Sequence, residues 1–127
     1  MPIHLESKDL INTQQMEVAV NGPDGANHLI LCAGVAELGS VSHEIYTFFV
    51  GPQLSRRQFV GAIASGALST IEFYDGNLTK ATLILIDADY DDDSGKVKVK
   101  TEVSSGNAMA KLAISYNVSI LAELPIL

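Results

Sequence analysis

The chain has 127 residues, 47% of them hydrophobic and 18% charged, with a formal net charge of −7. That length predicts a single domain over residues 1–127 with its own core, and the composition excludes intrinsic disorder. The acidity opposes nucleic acid and anionic membranes, no segment approaches the ~20 apolar residues of a membrane helix, and the lone cysteine, Cys32, excludes an internal disulfide and points to a reducing, cytoplasmic setting.

In chain order, MPIHLESKDL lacks the basic-then-apolar pattern of a secretory signal. MEVAV (16–20) alternates as a strand does and runs into the turn cluster Asn21-Gly22-Pro23-Asp24-Gly25. HLILCAGVAEL (28–38) and HEIYTFFV (43–50) read as two strands, and Gly39-Ser40-Val41-Ser42 between them reads as a hairpin turn. In the second of these strands Tyr46, Phe48 and Val50 share one face, and Ile45, Thr47 and Phe49 share the other. Apolar side chains on both faces predict a strand covered on both sides, by its own chain or by a partner.

The stretch SRRQFVGAIASGAL (55–68) spells a twin-arginine export pattern, but in the middle of the chain. Its position, and the strand-like STIEFYDGN that follows, speak against an address. Ser55 and Gln58 have capping-box spacing, and Phe59, Ile63 and Ala67 fall on one helical stripe. The spacing therefore predicts one short helix over about 55–67, although Gly61, Ser65 and Gly66 weaken its intrinsic helicity. A short strand is expected at 70–74.

From Thr79 to Ile120 three alternating runs are separated by Asp92-Asp93-Ser94-Gly95 and by Gly106-Asn107. A four-residue loop at the first site sets Asp91, Asp89 and Asp87 opposite Lys96, Lys98 and Lys100. It sets Tyr90, Ala88, Ile86 and Ile84 opposite Val97, Val99, Thr101 and Val103. A two-residue turn at the second site sets Val103 opposite Ala110, Thr101 opposite Leu112 and Glu102 opposite Lys111. Both hairpins turn the same face of the middle strand inward, which predicts a three-strand C-terminal meander. Ala108 to Leu124 as one strand would span about 56 Å at ~3.3 Å per residue. A compact domain is only about 35–40 Å across, so a bulge or an end is expected near Ile120-Leu121.

The predicted fold is mainly β: an antiparallel β-sandwich or barrel with a C-terminal three-strand meander and one short helix. The alternative is an α+β fold with the helix packed across one sheet face.

Chemistry-bearing patterns are sparse. Asp91, Asp92 and Asp93 are the residues for a weak Ca2+ site, yet Asp92 and Lys98 stand where a calcium loop counted from Asp87 needs glycine and glutamate. A solvated hairpin explains the aspartates more simply. His28, Cys32 and His43 lack the spacing of a cysteine–histidine nucleophile, and no other cofactor pattern is present. Three functions follow in order of preference. The first is non-catalytic action through homo-oligomeric assembly or binding of a protein partner. The second is binding of a small apolar ligand between sheet and helix, lined by Tyr46, Phe48, Phe59, Phe73 and Tyr116. The third is an enzyme using a histidine, or carboxylates such as Glu37, Glu44 and Glu72, in that pocket.

Overall fold

Period-two alternation over most of the chain folds almost all of it as strand. The computed structural model describes residues 2–22, 25–41, 43–73, 81–105 and 110–123. Its strands are β1 (Ile3–His4), β2 (Leu10–Gly22), β3 (Gly25–Val41), β4 (His43–Val50), β5 (Phe59–Phe73), β6 (Thr82–Asp91), β7 (Lys96–Ser104) and β8 (Ala110–Glu123). They form two four-stranded sheets, sheet I in the order β1-β4-β7-β6 and sheet II in the order β2-β3-β8-β5. All pairings are antiparallel except β1 on β4. The sheets pack as an open β-sandwich, as the alternation predicts, with β5 and β6 running close together along one side.

The core is one contiguous cluster between the sheets. Phe48, Val97, Val99 and Val103 of sheet I are fully buried, as are Ile30, Leu112, Ile114 and Ile120 of sheet II. Inward-facing polar groups are satisfied locally: the Thr101 hydroxyl donates to Tyr46 O, and the Tyr46 hydroxyl to Leu38 O. The first β6–β7 hairpin pairs as the charge ladder predicts, with Asp91, Asp89 and Asp87 opposite Lys96, Lys98 and Lys100. One detail differs. A bulge at Ile84 sets Leu83, rather than Ile84, opposite Val103.

The three-strand meander does not form. β7 pairs with β4 and β6, whereas β8 lies in the other sheet between β3 and β5. The inward faces of β7 and β8 meet across the core instead of side by side. Alternation fixes which face is buried, but it is identical for a hairpin and for an arch that carries the chain to the opposite sheet. The Gly106-Asn107 turn itself lies outside the described residues. The same correction applies to β3 and β4, which occupy different sheets instead of forming a hairpin.

The helix over 55–67 is also overturned, because Phe59–Phe73 is a strand paired along β8. A single turn survives at its start: the Ser55 amide donates to Gln58 Oε1 at 2.8 Å, and the Gln58 amide to Ser55 O at 3.0 Å. Beyond it, glycine, serine and β-branched residues offer little helical preference, and the edge of β8 supplies a full ladder of backbone partners. Gly66 lies so close to its neighbours that an added Cβ would stand 2.9 Å from Ser115 O and 3.0 Å from Ile86 Cδ1. The small residues serve close sheet packing. Among the described residues the only helix is the three-residue 3-10 turn Ser7–Asp9, too short to cover a sheet face, so the α+β alternative falls too.

The expected break near Ile120-Leu121 is displaced onto neighbouring strands. β8 is continuous for 14 residues, about 46 Å at ~3.3 Å per residue. The register shifts fall beside it, at Leu38 on β3 and at Val60 and Ser69 on β5.

Candidate interaction surface

The two sheets present opposite outer faces to their surroundings. On sheet I the outward positions of β6 and β7 include Asp87, Asp89, Asp91, Lys96, Lys98, Lys100 and Glu102, with Leu85 opposite Glu102. Lys98 Nζ lies 3.4 Å from the Asp91 carboxylate, a diagonal step of the ladder, and Arg56 reaches Asp92 at 3.8 Å while lying over the Tyr90 ring. This is a solvated, self-neutralised surface. Outward Phe49 is covered by the His4 ring, with centroids 4.8 Å apart, and by Lys98. The two-sided apolar character of residues 43–50 is thus met within the chain.

Sheet II is different. Pairing registers put five successive rows on its outer face, each read across β2, β3, β8 and β5 where all four contribute. They run Val18–Leu29–Leu121–Gly61, Met16–Leu31–Ser119–Ile63, Gln14–Ala33–Asn117–Ser65, Ile11–Val35–Ser115–Ala67, and then Ala113–Thr70 with Glu37 at the edge. The first four rows carry no charged side chain. Met16 is 62% exposed and Ile63 76%, and Ile11, Val18 and Val20 are exposed beside them. Charges return only at the ends, with Glu37, Lys111 and Glu72 at one and Glu123 at the other. The relief is uneven. β3 carries the bulky Leu29, Leu31 and Val35 around Ala33, whereas β8 carries Ala113, Ser115, Asn117 and Ser119, with Leu121 its one bulky outward residue. Two depressions result: one of about 290 Å³ bordered by Met16, Leu31, Ala33, Asn117 and Ser119, the other of about 170 Å³ bordered by Ile11, Val35, Thr70 and Ala113.

The free edge of sheet II is less inviting. β2 is interrupted between Ile11 and Gln14, and Asn12 adopts φ 52° there. A bulged edge of this kind resists strand addition. β1, the free edge of sheet I, has only two residues.

The residues singled out from sequence do not converge. Tyr46, Phe48 and Tyr116 are core side chains, with the Phe48 and Tyr116 rings 4.9 Å apart. Phe59 packs on Tyr90 instead, and the side chain of Phe73 lies outside the described set. Because the segment expected as the helix is strand β5, the pocket between sheet and helix lacks the second wall assigned to it. Asp91 is engaged by the Ser94 amide and Lys98, and its carboxyl is held below the ordinary aspartate range chiefly by the Ser94 hydroxyl. Among the described residues no three His, Cys, Asp or Glu side chains are placed to share a metal ion.

Cys32 is buried, and burial pushes its thiol pKa up, the reverse of what a nucleophile needs. His28 pairs with Glu17 at 2.7 Å on sheet II, and His43 with Glu102 at 2.7 Å on sheet I. Glu44 sits on sheet I, away from the sheet II positions of Glu37 and Glu72. Among the described residues no helix is long and apolar enough to cross a membrane.

The uncharged face was not assembled from sequence, although its signal was present. Between Phe59 and Ile71 no residue is charged, and Lys111 is the sole charge between Ala110 and Ala122. Comparison of the chain with protein-family models, with curated proteins and with solved structures finds no match in any of the three.

Proposed function

We propose that the protein acts without catalysis, by homo-oligomeric assembly or by binding a protein partner through the outer face of sheet II. The single observation behind this is the segregation of charge: four rows of that face are uncharged and partly apolar, while the outer face of sheet I carries a dense ladder of acids and lysines. Extended apolar surface of this kind marks interaction sites. The lone, buried Cys32 fits a reducing cytoplasm.

The test is site-specific photo-cross-linking in the cell that makes the protein. A photoreactive side chain at position 63 is expected to give a protein adduct of defined mass, and one at position 89, on the outer face of sheet I, to give none. Equal labelling from both positions, or none from position 63, would contradict the proposal.

A further inference from the structure

Resting on that reading, we propose that the occupant of this face is a second copy of the chain. The two copies pack face to face about a two-fold axis parallel to the strands, between β3 and β8, so that Lys111 of each meets Glu37 of the other.

Charge is the first support. A chain with net charge −7 repels its own copies over most of its surface, and the uncharged rows of sheet II bring no like charges together. Among homo-oligomers, isologous two-fold contact is the commonest arrangement. Size is the second. Four strands about 4.8 Å apart, over a length of about 30 Å, give roughly 600 Å² in projection before side-chain relief is added. That approaches the ~800 Å² per partner of a standard interface.

Shape and end charges select the axis. Rotation about an axis parallel to the strands keeps every row level and exchanges β3 with β8, and β2 with β5. Leu31 and Val35 of one copy then face the low Ser119 and Ser115 of the other, Ala33 faces Asn117, and Leu29 meets Leu121 at the apolar end of the face. Met16 and Ile63, the two most exposed apolar side chains on the face, stack on one another. At the end of the face, Lys111 comes one row from Glu37 of the opposite copy, twice by symmetry. Within one chain, among the described residues, neither side chain forms an ion pair. A two-fold axis across the strands would instead oppose ridge to ridge and lane to lane, leaving space unfilled.

Sedimentation velocity on the purified full chain tests this. The wild type is expected to populate twice 13.5 kDa. Ile63→Glu is expected to dissociate it, with an unchanged circular dichroism spectrum because position 63 is mostly exposed, and Leu85→Glu on sheet I to leave it intact. Glu37→Lys and Lys111→Glu are each expected to weaken association by at least about tenfold, and the double charge reversal to restore it. A wild type still monomeric at ~100 μM overturns the proposal. If position 63 nevertheless cross-links to a different protein in the cell, only the second-copy inference falls. A dimer that survives Ile63→Glu places the contact elsewhere and also overturns it, and single reversals that weaken without rescue in the double overturn the axis.

Discussion

Gly34 on β3 faces Tyr116 on β8 across the ladder, and the phenol ring lies directly over the glycine. A Cβ added there would stand 2.6 Å from the Tyr116 hydroxyl oxygen and 2.9 Å from Cζ. Both backbones are fixed by pairing, so the Gly34→Ala variant must displace the ring. The ring is 2% exposed and packed on Phe48, and overfilling a core of this kind costs about 1–3 kcal/mol. At ~2.1 cal/mol/K of unfolding entropy per residue, a chain of 127 residues loses roughly 4 °C of Tm per kcal/mol. Thermal unfolding by circular dichroism is therefore expected to show a fall of roughly 4–11 °C. The nearest atom is the hydroxyl oxygen, so the cost should shrink in a Tyr116→Phe background, with a coupling of at least ~0.5 kcal/mol. A Tm within about 1 °C of wild type, or an equal cost in both backgrounds, would refute the assigned contact.

Other outcomes follow from the same geometry. Gly95 closes the β6–β7 loop at φ +74°, with an added Cβ 3.1 Å from both Gln53 Cγ and Leu54 O. Gly95→Ala should cost about 1–3 kcal/mol in urea unfolding, and a neutral result would mean that the loop relaxes freely. Asp91 has a folded pKa below its unfolded one, so its contribution is present above the ordinary aspartate value of about 4 and is lost as pH falls through the folded value. The Tm gap between wild type and Asp91→Asn should accordingly narrow on acidification below pH ~4; a gap constant down to pH ~2 would contradict the Ser94 and Lys98 contacts. Burial, with Glu44 adding to it, pushes the Tyr46 pKa up to about 12, and burial raises that of Tyr116. A raised folded pKa stabilises fully below the unfolded value near 10 and is lost as pH rises through the folded one. Ultraviolet titration, with Tyr46→Phe and Tyr116→Phe assigning the steps, should show these two phenols ionising above the ordinary tyrosine value of about 10, and ionisation of both near pH ~10 in the folded protein would count against their burial.

How much of this was legible varied with the kind of information each residue carries. The β6–β7 register could be read because both faces speak: aspartates match lysines on one, and Val97, Val99 and Thr101 match Tyr90, Ala88 and Ile86 on the other. The bulge at Ile84 was silent, since an isoleucine fits either face. β7 and β8 each announced an inner face, yet nothing in Val103 or Ala110 says whether they are neighbours in one sheet or meet across two. The segment from Phe59 misled because small residues suit a helix stripe and a crowded strand equally, and the choice was made by the backbone ladder of β8. The interaction surface spans four strands distant in sequence, so its lack of charge became visible only once their order, β2-β3-β8-β5, was known.

The central claim is that the outer face of sheet II is covered by protein when the chain is at work. Hydroxyl-radical footprinting of Met16, 62% exposed in the free chain, against Leu85, 40% exposed on sheet I, measures this directly across a dilution series. The expected result is protection of Met16 that rises with protein concentration while the reactivity of Leu85 holds steady. Met16 remaining fully reactive where the protein is associated would contradict the claim.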